Sequence, residues 1–405
     1  MNEVPFLNVY DPSFRIDSDE VRAARATSWY GRTPLGYTVL RYEDIAALLR
    51  EPRLRQGSAA LLTIRGVTDG PLVEWWNNAI LNMDGADHTR LRRLIAKAFT
   101  PPAVERLRPY FRTTTERLID AFAPAGRCEF MKDFAEPYPL AGICEMLGIP
   151  NERRTSFCGW ANDLALVFSP LLTDPEVRVR VEAAVLALYA CVDDVLADRR
   201  REPQDDLIST LIAAEEDGDR LNEDELRATV VGLVFAGNDT TRNQLGQGLL
   251  AFARAPEQWD LLAERPELAQ HAVDEIMRRF PAIPAIPRIV TEPLDYRGVR
   301  FEPRTVIGLL LGSANLDEKV FGEAPFDIVA ERPASQLTFG GGIHRCLGMW
   351  LARAEMGEAL PVLARRLRQL ELDGKPTWLP GQGIVGPISL PLRFAASGRE
   401  GSWPA

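Results

Sequence analysis

The sequence predicts a mainly α protein with small β-sheets. Two observations carry this prediction. Apolar residues recur at helical spacing along most of the 405-residue chain, with Ala, Leu, Arg and Glu dominating. Strand-like pieces are few and short, which argues against a doubly wound α/β fold.

In chain order, residues 37–40 read as the first strand. Helices are expected over 103–123, 176–199, 222–254, 256–279 and 347–369. Further strands are expected over 294–299, 306–311 and around 390–394. Residues 200–206, Arg-Arg-Glu-Pro-Gln-Asp-Asp, read as a loop, and residues 397–405 as a loose tail. There is no internal repeat and no long Gly/Ser linker.

The helix over 222–254 is the most informative. Asn222 is an N-cap with Glu225 three residues on, the pattern of a capping box. Residues 229–237 are apolar around the full circumference, so this helix runs through the core. The polar run Asn238-Asp239-Thr240-Thr241-Arg242 sits in its middle, where unsatisfied polar groups are costly.

Composition excludes several classes of function. The 47 Lys and Arg against 57 Asp and Glu give a net charge of −10, which argues against a general nucleic-acid binder. With 46% apolar residues, disorder over most of the chain is excluded. Five widely spaced cysteines without a CxxC pair indicate neither a disulfide framework nor a structural zinc site. No signal peptide and no apolar stretch of membrane-spanning length is visible, so a cytoplasmic protein with no membrane anchor is expected.

The strongest local signal is Phe339-Gly340-Gly341-Gly342-Ile343-His344-Arg345-Cys346-Leu347-Gly348. Glycines allow close backbone approach to a flat group, and a cysteine opening a helix has its thiolate favoured by the dipole. Read alone, the run more simply describes a buried structural cysteine beside a tight turn. Likewise Glu275 and Arg278, or His88 and Arg92, taken alone are surface pairs on helix faces. Asp239 and Arg242 taken alone make an i,i+3 ion pair, with the threonines bonding backbone.

Together these segments resemble the cytochrome P450 family. The cysteine run fits the family's haem signature, Phe-Gly-x-Gly-x-His-x-Cys-x-Gly, at all six fixed positions. The resemblance spans nearly the whole chain and implies the P450 fold as a single domain over 1–405. In that fold a haem lies between the long central helix and the cysteine-loop helix. It implies Cys346 as thiolate ligand of the haem iron, a ligand that favours O–O cleavage. Phe339 and Gly348 belong to the same cofactor-binding loop. Glu275-Ile276-Met277-Arg278 resembles the family's structural Glu-x-x-Arg, with Arg332 as the candidate for its third, arginine member. Ala236-Gly237-Asn238-Asp239-Thr240-Thr241 resembles the oxygen-activating motif. There Ala236 and Gly237 leave room over the porphyrin, Thr240 bonds back to the Ala236 carbonyl, and Asp239 and Thr240 deliver protons. His88, Arg92, Arg288 and His344 are implied as contacts of the haem propionates.

The implied enzyme is a monooxygenase using haem b and O2 that hydroxylates a largely apolar small molecule of secondary metabolism. Electrons would come from NAD(P)H through a separate ferredoxin and its reductase, docking on a locally basic face around Arg90, Arg93, Lys97, Arg345 and Arg353. A monomer is expected. Oxidative coupling, ring closure or desaturation without oxygen insertion, and a non-enzymatic haem sensor, stay open. The pocket should be lined from 58–82, 160–178, 229–236, 283–290 and 382–387, with Trp75 and Trp76 either facing it or packing a loop.

Overall fold

The computed structural model describes residues 3–11, 13–97, 99–216, 219–378 and 383–397. Ten helices position the site. They are α1 (Pro71–Asn78), α2 (Gly85–Ala96), α3 (Arg108–Phe122), α4 (Pro137–Leu147), α5 (Asn151–Ala165), α6 (Pro175–Arg201), α7 (Glu223–Ala253), α8 (Pro256–Glu264), α9 (Ala269–Arg279) and α10 (Met349–Arg366). Strands β1 (Tyr30–Thr33), β2 (Gly36–Val39), β3 (Leu54–Gln56), β5 (Ile286–Val290) and β6 (Val306–Leu309) form one sheet, in the order β1-β2-β6-β5-β3. Strands β4 (Arg127–Glu129), β7 (Leu367–Leu372) and β8 (Pro391–Ala396) form another, in the order β7-β8-β4. The mainly α fold with small sheets is therefore observed.

Helix α7 runs through the main core, as its apolar circumference requires. Its start is the expected capping box. The Glu225 amide donates to Asn222 Oδ1 at 2.9 Å, and the Asn222 amide donates to Glu225 Oε2 at 2.9 Å. Such a cap stabilises a helix by about 1 kcal/mol.

Several boundaries differ from expectation. The helix expected over 256–279 is two, because Pro266 cannot continue the bonding ladder and a 3-10 turn over Pro266–Leu268 intervenes. Residues 294–299 are one strand and the turn of a hairpin, Leu294–Tyr296 paired with Val299–Phe301. The long helix after the cysteine starts at Met349, not 347. Of the expected tail, residues 398–405 lie outside the described residues.

A buried ion triad ties the cysteine-side segment to α9. Glu275 Oε1 and Oε2 accept from Arg278 at 2.8 Å each, and Arg332 donates to the same oxygens at 2.7 and 3.2 Å. Burial opposes ionisation of Glu275, but the two guanidinium groups hold its carboxyl below the usual range. Arg332 is thus the third member of the triad. Arg278 also donates to the carbonyls of Asn315 and Ala324, so one charge pair fastens three chain segments.

Candidate active site

The cysteine loop is shaped by its backbone. Gly340 and Gly342 both have φ 64°, and a Cβ on Gly342 would lie 2.4 Å from the Leu49 carbonyl oxygen, so only glycine fits there. The Cys346 amide closes the loop by donating to the Phe339 carbonyl at 2.9 Å. Gly348 is the N-cap of α10, so Cys346 lies two residues before the cap rather than opening the helix. Burial pushes the Cys346 thiol up, while the Gly348 amide, Arg92 and Arg345 pull it down. Cys346 nonetheless keeps accessible surface.

Beside the loop, α2, β5 and the cysteine segment bring cationic and imidazole groups together. The His88 and His344 rings stand 4.4 Å apart at 51°. Arg92 donates to the Arg345 carbonyl. Arg288 is 3% exposed and donates to Gln56 and to the Pro287 carbonyl. Burial lowers Arg288 to about 10, Asp84 opposing this. Burial, then His344 and Arg92, lower His88 to about 4. His88 Nδ1 is buried with no hydrogen-bond partner. The one carboxylate here is Asp84, whose Oδ1 meets His344 Nε2 at 2.8 Å. Cations outnumber anions, so the cluster can take up further carboxylates.

The other candidate residues lie in the middle of α7. Residues 228–235 are all buried, yet Ala236 is exposed and Thr240, one turn on, is partly so. Thr240 Oγ1 donates to the Ala236 carbonyl at 2.7 Å, the expected back-bond. The missing side chain of Gly237 faces elsewhere, since a Cβ there would touch Ile143 at 3.5 Å. Asp239 is 6% exposed; Arg242 donates to its Oδ1 at 2.5 Å and Asn243 at 3.2 Å. The i,i+3 pair is therefore present. Burial still holds the Asp239 carboxyl above the usual range against both donors.

Residues 164–390 match the family model described as Cytochrome P450. The chain belongs to the cytochrome P450 family. Luteothin monooxygenase of Streptomyces thioluteus is 38% identical over 397 residues, covering 98% of this chain and 97% of that protein. Mycinamicin IV hydroxylase/epoxidase of Micromonospora griseorubida is 35% identical over 89% of this chain and 91% of its own length. The solved structure of cytochrome P450 CYP109Q5 from Chondromyces apiculatus superposes with a TM-score of 0.84 at 30% identity, covering 98% of this chain and all of that one. The protein is thus a P450 monooxygenase, an oxidoreductase whose family uses haem and O2.

The residues of this P450 fit an iron porphyrin on three counts. Ala236 is exposed at the end of an otherwise buried run of α7, and Cys346 keeps accessible surface. A Cβ on Gly348 or Gly340 would meet nothing within 4 Å. Among the described residues, buried Arg288 bonds only neutral partners and His88 Nδ1 has none, a deficit that two propionates would fill.

Sequence reasoning missed three residues. Asp84 stands four residues before His88, as His88 does before Arg92, so helical spacing could have found it. Glu355 of α10 is wholly buried against Thr241, and burial lifts its carboxyl well above the usual range. Its room comes from Gly142, where a Cβ would lie 2.6 Å from Glu355 Oε1, and no local pattern announces that. Arg65 caps three successive carbonyls, donating to Val167, Phe168 and Ser169 at 2.7, 2.9 and 2.8 Å. Trp75 and Trp76 are fully buried and pack edge-on against Phe235, so they are packing residues and not pocket wall. Of the basic face, Arg90 pairs with Glu225, and Arg353 pairs with Asp274 at 2.5 Å. No described helix is long and apolar enough to cross a membrane.

Proposed function

We propose that this single-domain P450 hydroxylates a largely apolar small molecule of secondary metabolism, using electrons from NAD(P)H passed through a separate ferredoxin and its reductase. The observation that carries this reading is a cysteine of the haem-signature loop that keeps accessible surface, together with a buried acid and a back-bonded hydroxyl beside exposed Ala236 on α7. The relatives named above, a monooxygenase and a hydroxylase/epoxidase, support oxygen insertion.

Haem supplies the oxidising chemistry when bound, activating O2 so that one atom enters substrate and one leaves as water. Cys346 Sγ would hold the iron, with the loop around Phe339 and Gly348 against the ring. Arg92, Arg288, His88 and His344 would hold the propionates. Asp239 is the acid next to Thr240, its carboxyl held above the usual range by burial and its orientation fixed by Arg242 and Asn243. Thr240 commits its own hydrogen to the Ala236 carbonyl, so its oxygen can accept a proton and pass one on.

The substrate wall is proposed from Ile283, Ile286, Ile384 and Val385, all partly exposed, while Leu233 and Phe235 are buried. The 383–387 turn is pinned there by the Val385 amide, which donates to the Ala282 carbonyl at 2.7 Å. Residue 382 lies outside the described residues. The electron donor is proposed to dock beside exposed Arg345, between exposed Ile343 and Trp350.

A screen for a low-spin to high-spin shift identifies the substrate, and turnover under isotopically labelled O2 tests the reaction. One labelled oxygen in the product is expected. A product lacking label, from coupling or desaturation, would overturn hydroxylation.

A further inference from the structure

On the outer side of α7, away from Ala236, a run of polar side chains leads from Asp239 toward the surface. Asn238 is 2% exposed, and its Nδ2 donates to Asn162 Oδ1 of α5 at 3.3 Å. Asn162 Nδ2 in turn donates to Glu136 Oε1 at 2.5 Å. Glu136 is half-buried at the head of α4. An ionised carboxylate only accepts, so it fixes both amides with donors pointing outward. That orientation leaves Asn238 Oδ1 as an inward acceptor, and it is buried without a partner.

A second orphan stands beside it. Arg242 follows Asn238 by four residues on the same helix face. Its Nε is also buried without a partner, although its Nη2 holds Asp239. An unmet acceptor and an unmet donor one turn apart are both costly if left dry. One water would satisfy both, accepting from Arg242 and donating to Asn238. The outer end of the run adjoins solvent. A surface cavity of about 520 Å³ between α3, α4 and α5 is lined by Pro137, next in the chain to Glu136, and by Cys158, one turn before Asn162.

We propose that an ordered water bridges Arg242 Nε and Asn238 Oδ1, and that Glu136 and Asn162, by fixing the Asn238 amide with its oxygen inward, hold that water beside the Arg242–Asp239 pair. This rests on the reading of Asp239 as proton donor. Asn162, Asn238 and Arg242 are positioning residues. The amides and the guanidinium keep their protons; they place the water and through it the orientation of Arg242 toward Asp239, and no electron moves.

The direct test is a structure of the haem-loaded protein at a resolution that shows water. A water about 2.7–3.2 Å from both Arg242 Nε and Asn238 Oδ1 is expected. A dry site, or a direct bond between the two side chains, overturns the proposal. The second test is coupling and the solvent isotope effect on turnover in Asn162→Leu, with Asn162→Ser in case the leucine variant folds poorly. Retained haem loading, an altered isotope effect and about three- to tenfold more peroxide are expected. Wild-type values in these variants, with coupling lost in Asp239→Asn, overturn the positioning role of the Asn162 run and leave Asp239 standing. Wild-type coupling in Asp239→Asn removes the reading of Asp239 itself.

Discussion

On the Cys346 side of the site, position is set by backbone. Two positive-φ glycines, one amide bond to the Phe339 carbonyl and the buried Glu275 triad hold the loop. On the Asp239 side, position is set by side chains. Arg242 and Asn243 hold the acid, Arg65 holds the 167–169 carbonyls, and Trp75, Trp76 and Phe235 pack edge to face behind them. The wall proposed to hold a cofactor common to the whole family is thus the one with least freedom. The wall proposed to choose protons and substrate is built from groups that single substitutions can change.

That contrast is testable by how each side fails. Glu275→Gln should strike the backbone-set side hardest, since it leaves two arginines buried without their carboxylate. A loss of about 3–5 kcal/mol is expected, read as a lower midpoint of denaturant unfolding and poor haem retention. Asp239→Asn should leave folding and haem loading intact but slow turnover by about 10² to 10⁴. Tightly coupled, unslowed turnover in that variant would remove the acid from the mechanism.

The sequence made the first side legible and the second only in part. The Phe339–Gly348 run, Glu275-x-x-Arg278 and the capping box are short-range patterns, and each fixes a backbone feature that reappears in the fold. Asp239 and Thr240 were legible for the same reason, because Thr240 bonds within its own helix. Glu355, Arg65 and Asn162 were not. Each takes its meaning from a partner distant in sequence: Thr241 for Glu355, the 167–169 carbonyls for Arg65, Glu136 for Asn162. Pro266 marks the break, but helical spacing continues across it and hides the 3-10 turn.

Smaller effects sharpen the comparison. Arg65→Ala removes three hydrogen bonds from a charged group and should loosen the 167–169 segment by about 1–3 kcal/mol, seen as faster substrate release with an unchanged carbonyl spectrum. In the haem-free chain, His88 is held at about 4, below its ordinary 6.5, so the unfolded chain takes up its proton first. The stability this gives is present above pH 6.5 and is lost as pH falls through about 4. Denaturation of His88→Gln across that window should show a flatter pH dependence. The mildest effect should come from reversing exposed Arg93 and Lys97 to Glu, which should slow reduction by an acidic ferredoxin several-fold at low salt and less at high salt.

The central claim is that Cys346 presents a thiolate to haem iron. The reduced carbonyl spectrum of the haem-loaded protein tests it most directly. A strongly red-shifted Soret band is expected in the wild type, lost in Cys346→His while that variant still binds haem. A wild-type spectrum without the red shift at full haem loading, or a red-shifted band surviving in Cys346→His, would contradict it.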